Sequence, residues 1–177
     1  MKIVVTDIES NSLLMKGSKT FKFHCAWIAD ISDSDEPVMI GFRPHQVEEY
    51  VKYLSDCDII IGHNSIGFDV PALKAYYKLR WDGVQLDTMH FYRYLDPSRK
   101  TSSLKALSQE AKGRVKTGFD DAEEEEQQWA EFTEGMYKYC EDDVLATLDG
   151  FLYLCKKLNF DFRDPDVIAQ YQFFNGN

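Results

Sequence analysis

Along the 177 residues, apolar and polar positions fall first into short β-type runs and later into helical stretches. In IVVTDIE, residues 3–9, alternation puts Ile3, Val5, Asp7 and Glu9 on one face of a strand and Val4, Thr6 and Ile8 on the other. Both faces start apolar, as in a central strand covered on both sides. KFHCAWIAD (22–30) and PVMIGFRP (37–44) read as two more strands around the polar turn SDSDE, which predicts an antiparallel meander of three. HQVEEYVKYLSDC then repeats apolar residues at helical spacing through Val47, Tyr50, Val51 and Leu54. CDIIIGHN, closed by Gly62, predicts a buried parallel strand. DVPALKAYYKL opens a helix with Pro71 in its first turn, VQLDTMHFYRYL passes from strand to helix, and SLKALSQEA is amphipathic. A last long helix is predicted from about Met136 to Lys157, with Val144, Leu148, Phe151, Leu152 and Cys155 on its apolar stripe and Thr133 as cap. Strands first, then alternating helix and strand, predict a mixed α/β sheet with helices on its faces. The length suits one domain, residues 1–177, and there is no internal repeat or linker.

Composition narrows the class. Apolar residues make up 44% and charged residues 28%, which is ordinary for a soluble globular chain. No apolar run approaches the roughly 20 residues of a membrane span, so no membrane partner is expected. Asp7 interrupts the N-terminus too early for a signal peptide. Cys25, Cys57, Cys140 and Cys155 form no C-x-x-C pair and read as reduced thiols of a cytoplasmic protein, with Cys25 and Cys155 in the core. The net charge of −10 argues against general affinity for nucleic acid. Its distribution offsets this. The run DDAEEEE, Asp120 to Glu126, concentrates the acids, whereas Arg93, Arg99, Lys100, Lys105, Lys112, Arg114 and Lys116 gather just before it.

Three carboxylate sites draw the functional reading. Asp7 and Glu9 close a strand that is otherwise built for burial, and like charges on one face cost stability unless a cation compensates. Asp69 sits at a loop-to-helix junction after HNSIGF, where it serves either as a helix cap or as a ligand. In YCEDD, Tyr139 and Asp143 are four residues apart and share a helix face. Four such carboxylates suit hard divalent ions, Mg²⁺ or Mn²⁺. Two ions roughly 3.5–4 Å apart clamp a phosphodiester for in-line attack by water.

Together, D-x-E at Asp7 and Glu9, N-x-x-x-F-D from Asn64 to Asp69 and Y-x-x-x-D from Tyr139 to Asp143 resemble the three motifs of the DEDD exonuclease superfamily. Tyr139 marks the DEDDy branch, because the sibling branch carries a histidine at the position held here by Lys138. VVTDIESNSLL, KFHCAWI, HNSIGFDVPAL, LDTM and WAEFTEGMYKYCEDDV extend the likeness, in order, to the proofreading domain of family A DNA polymerases of short-tailed bacteriophages. That resemblance implies a ribonuclease H-like (DnaQ-like) mixed five-stranded sheet with helices on both faces. It also implies a 3′→5′ exonuclease that releases nucleoside 5′-monophosphates from the 3′ end of single-stranded DNA with two Mg²⁺ or Mn²⁺ ions.

By the same resemblance, Asp7, Glu9, Asp69 and Asp143 hold the metals. Tyr139 orients the attacking water with help from Glu9. Asn64 contacts the departing strand end, Leu13 wedges against the terminal base, and His63 is a further substrate contact or a packed or capping side chain. Asp87, in LDTM, supports the fold, and Phe68 holds Asp69. Two rivals stay open. RNA-trimming enzymes share the branch, and no residue here excludes a 2′-hydroxyl. An exonuclease-fold accessory subunit would instead dock on a separate polymerase or replication protein, with Tyr171, Phe173 and Phe174 either as its docking surface or packed on the domain's own core. No polymerase-like sequence follows within the chain, which fits a stand-alone gene, one part of a split polymerase and a piece cut from a longer protein.

Overall fold

The computed structural model describes residues 1–11, 21–114 and 129–175, with side chains to Gln172. Leu13, Lys116, the acid run Asp120–Glu126 and the side chains of Phe173 and Phe174 lie outside the described residues. Five strands form one sheet: β1 (Ile3–Ser10), β2 (Phe23–Asp30), β3 (Val38–Phe42), β4 (Ile59–Gly62) and β5 (Val84–Asp87). Their order is β3-β2-β1-β4-β5, antiparallel across the first three and parallel from β1 through β4 to β5. The hairpin pair and the parallel pair therefore meet at β1, the central strand.

Helices cover both faces. Val4, Ile8, Ala26, Ile28 and Ile60 pack against α1 (Val47–Ser55) and α2 (Asp69–Tyr77), through Tyr50, Leu54, Val70 and Leu73. Ile3, Val5, Ala29, Ile59, Ile61 and Leu86 pack on the other side. There they meet α3 (Thr88–Leu95), α4 (Leu104–Ala111), α5 (Glu134–Leu158) and α6 (Pro165–Asn175). Ile59, Ile60 and Ile61 are essentially inaccessible, and each contributes about 1.5–3 kcal/mol by burial. Asp7 and Glu9 follow Ile3 and Val5 in parity, so they belong to the face that meets α5.

Several expectations are adjusted. The long helix starts at Glu134, two residues early, because the Thr133 hydroxyl accepts from the Met136 N–H at 3.1 Å and fixes its first turn. All four cysteines are buried, not only Cys25 and Cys155. The aromatic tail is a helix, α6, and the Tyr171 ring meets Phe91 and Phe160 edge-on, so this part of the tail packs on the domain itself. The basic cluster is partly spent on internal contacts. Arg99 pairs with Glu110, whose carboxylate also accepts from the Tyr92 and Tyr153 hydroxyls, and Arg114 pairs with Asp149. Arg93, Lys100, Lys105 and Lys112 remain exposed. Among the described residues, no helix is long and apolar enough to cross a membrane.

Candidate active site

Asp7 and Glu9 stand where β1 runs out of its parallel pairing with β4, which ends at Val5. That carboxyl end of the strands is the usual ligand-binding edge of an open α/β sheet. A carboxylate oxygen from each and the Cys140 sulfur all lie within 4.8 Å of one another. Asp69 joins them from α2. Its Oδ1 accepts from the N–H of Ile8, the residue between the two acids, at 3.2 Å, and a hydrogen bond links it to the Asp7 carboxyl. The capping alternative does not describe it: Phe68 is the N-cap of α2, with no side-chain cap bond, and Asp69 is the first helical residue.

α5 supplies the rest. Its buried positions Met136, Cys140, Asp143, Val144 and Thr147 form one stripe, and the Cys140 thiol donates to the Asp7 carbonyl at 3.4 Å. Asp143 lies one turn beyond Cys140 on that stripe and is 4% exposed. Its neighbours Glu141 and Asp142 face outward, where Lys138 pairs with both. Of three consecutive acids, only Asp143 is turned inward. Tyr139 is half-buried, with its ring edge-on to Trp129 at 6.1 Å between centroids.

Cys140 was not among the candidates read from sequence, although its i, i+3 relation to Asp143 puts it on the same face. Burial holds its thiol well above the ordinary range, and a hydrogen bond with Cys25 and the negative charges of Asp7 and Glu9 push the same way. The sulfur is therefore protonated at neutral pH. It acts as a donor that ties α5 to β1 rather than as a thiolate ligand. Oxygen donors dominate the cluster, and such a set fits Mg²⁺ or Mn²⁺.

The loop before α2 is shaped from below by Asp87, which is fully buried. Its carboxylate accepts from the N–H groups of Asn64 at 2.9 Å, Ile66 at 3.1 Å and Met89 at 2.9 Å. This agrees with the supporting role expected for Asp87. Asn64 takes a left-handed backbone, φ 61°, which asparagine tolerates. Gly62 ends β4 where a Cβ would come within 2.5 Å of the Ser65 Cβ, so the turn needs a glycine. His63 Nδ1 lies 2.9 Å from the Thr88 hydroxyl, which itself donates to the Gly62 carbonyl. The fold thus gathers Asp7, Glu9 and Asp69 at one strand end, carries Asp143 and Tyr139 on α5, the helix whose Cys140 reaches that end, and holds Asn64 and His63 on the loop before α2.

Burial raises the Asp69 carboxyl to about 7, and the negative charge of Asp87 pushes the same way, against hydrogen bonds from its own backbone and from Ile8. A folded value above the unfolded one means that the folded protein holds this proton more tightly. The resulting stability is complete below the ordinary carboxylate range and is lost as pH rises through about 7. The metal-free protein is expected to melt at a lower temperature near about pH 8 than near about pH 5, and Asp69→Asn to flatten that difference. Mg²⁺ or Mn²⁺ is expected to raise Tm more at the higher pH, because an ion competes with the proton for these oxygens. Melting curves at both pH values, with and without the ion, check this; an ion-induced shift independent of pH would contradict it.

No family model matches the sequence, and no curated protein matches it. Solved structures do match. Brucella melitensis NrnC is 16% identical with a TM-score of 0.67, over 97% of this chain and 80% of that one. The same protein has been solved with bound Mg²⁺ and bound to pGG, at TM-scores of 0.66 and 0.64. Trypanosoma brucei RNase D is 17% identical with a TM-score of 0.62, over 98% of this chain and 63% of that one. The family B DNA polymerase of Pyrobaculum calidifontis is 19% identical with a TM-score of 0.59, over 90% of this chain but only 24% of the polymerase. At these identities the likeness establishes the fold: the mixed five-stranded sheet flanked by helices is ribonuclease H-like (DnaQ-like).

Proposed function

We propose that this chain is a metal-dependent phosphodiester hydrolase, a 3′→5′ exonuclease that trims short or single-stranded ends and prefers RNA to DNA. The observation that carries the reading is the convergence of Asp7 and Glu9 with the protonatable Asp69 at the end of β1, against Cys140 of the helix that also buries Asp143. The preference draws on the span of the likenesses. RNase D and NrnC align with nearly all of this chain and with 63% and 80% of their own lengths, against 24% for the polymerase. A pGG-sized ligand at NrnC fits a site for short strands. A proofreading role on DNA, the other side of the resemblance, has the narrower support.

Asp7, Glu9, Asp69 and Asp143 would hold the two divalent ions. Such ions, when bound, lower the pKa of attacking water and stabilise charge on the phosphate oxygens. Tyr139 aims its hydroxyl at the water, and Glu9 accepts a hydrogen bond from it. The water oxygen forms a bond to the terminal phosphorus, the bond to the neighbouring 3′-oxygen breaks, and the electron pair leaves on that oxygen. A nucleoside 5′-monophosphate departs. Asn64 and His63 would contact the strand end from the loop.

Tyr139→Phe is expected to lower kcat by about 10²-fold with little change in KM, since it removes one positioning hydrogen bond and no charge. Steady-state kinetics on a fluorescent oligonucleotide check this. Matched 5′-labelled RNA and DNA strands with Mg²⁺ or Mn²⁺ test the substrate reading. A ladder shortening from the 3′ end, faster on RNA, is expected; faster loss of DNA would return the proofreading reading.

A further inference from the structure

The proposed role of Tyr139 leaves open what holds its ring, since α5 alone permits more than one side-chain rotamer. The aromatic neighbour that meets it edge-on, Trp129, lies before the Thr133 cap, outside any helix or strand. A residue there needs its own anchor. The Trp129 carbonyl finds one in His24 Nε2, at 2.8 Å, and His24 is fully buried. A carbonyl only accepts, so Nε2 carries the hydrogen of this bond. Among the described residues, Nδ1 has no partner, so the Trp129 contact is the polar bond that rewards burial of this ring.

His24 reaches Trp129 because of a register fault. Glu9 pairs with Cys25, but Ser10 pairs with Phe23, which makes His24 the extra residue of a β-bulge on β2. A bulge re-aims the side chain it inserts, and this one falls between the partners of Glu9 and Ser10. Around the same point, Trp129, Phe132 and Tyr137 pack with Cys25, Met136 and Cys140. One irregularity in the hairpin thus links the strand pair that carries Glu9 to the segment whose indole meets the Tyr139 ring at a steep angle.

We propose that His24 and Trp129 are positioning residues for Tyr139: His24 pins the Trp129 backbone, and the Trp129 ring holds the phenol at the orientation needed for attack. The inference rests on the reading of Tyr139 as the group that orients water. The test is a double-mutant cycle with single-turnover kinetics on a labelled oligonucleotide. Trp129→Leu is expected to lower kcat between about 10-fold and 10²-fold, the scale of a small misplacement, with substrate KM nearly unchanged. In the Tyr139→Phe background the same substitution is expected to cost nothing further. His24→Leu should reproduce the loss, and His24→Gln, whose carboxamide keeps a donor, should restore most of it. Trp129 is half-buried outside regular structure, so its variant carries the test even where His24→Leu fails to fold. Losses that multiply with Tyr139→Phe, or that fall on KM, would overturn the inference alone. A wild-type protein without metal-dependent hydrolysis would overturn the proposed function, and the inference with it.

Discussion

Asp7→Ala is expected to abolish turnover, by at least about 10³-fold, while leaving the metal-free protein as stable as before to within about 1 kcal/mol. The two halves of this outcome have one cause. Asp7 and Glu9 bring like-charged oxygens into a partly buried cluster, so removing one of them relieves repulsion in the absence of an ion. The hydrogen bond between Asp7 and Asp69 is lost in exchange, and the two effects oppose each other. With Mg²⁺ present the balance reverses. The wild type gains a ligand that binds only the folded state, the variant does not, and their melting temperatures separate. Glu9→Ala should behave in the same way. A structural role for either acid predicts the contrary pattern, a drop in metal-free stability with proportionate loss of activity. Melting curves and turnover measured on the same preparations distinguish the two.

The second large effect lies below the site. Asp87→Ala leaves three N–H donors, of Asn64, Ile66 and Met89, without their carboxylate acceptor. At about 1–3 kcal/mol for each unsatisfied buried donor, the loss is expected to reach about 3 kcal/mol or more. That is a large share of a domain's typical stability of about 5–15 kcal/mol. Asp87→Asn should fall between, because Oδ1 serves Asn64 and Met89 while Oδ2 serves Ile66, and an amide keeps only one of the two acceptors. Urea unfolding of the three proteins measures the ranking. The loop that Asp87 shapes leads directly into Asp69, so activity should fall in the same order. Equal stability of wild type and Asp87→Ala would show that these bonds do not hold the loop.

How much of this was legible in the chain follows from what each feature depends on. β1 and β4 were readable because buried strands need continuous apolar residues, and the parity of Ile3, Val5, Asp7 and Glu9 follows from the pleat alone. α5 was readable from its stripe, and its cap from Thr133. Asp69 was ambiguous, because a first-turn aspartate looks the same whether it caps its own helix or reaches Ile8, sixty-one residues away in sequence. Only the tertiary fold decides that. The bulge at His24 was hidden for a related reason: one inserted residue reverses parity within a strand, and alternation read from either side gives a consistent but different answer. α6 escaped notice although Asp164 and Pro165 supply a cap-like acceptor and a favoured first residue. Its aromatic residues read equally well as a docking surface or as a segment packed on the core. Cys140 was seen only as a thiol outside a zinc pattern. Its place beside Asp7 and Glu9 depends on how α5 is rotated against β1.

The central claim is that these carboxylates serve metal-dependent removal of nucleotides from a 3′ end. A single-stranded oligonucleotide labelled on its 3′-terminal nucleotide, incubated with the protein and Mg²⁺ or Mn²⁺, tests it most directly. The labelled nucleoside 5′-monophosphate should be the first product, at a rate that vanishes on chelation and in Asp7→Ala. Labelled fragments longer than one nucleotide appearing first, or release that persists in the chelated or Asp7→Ala reactions, would contradict it.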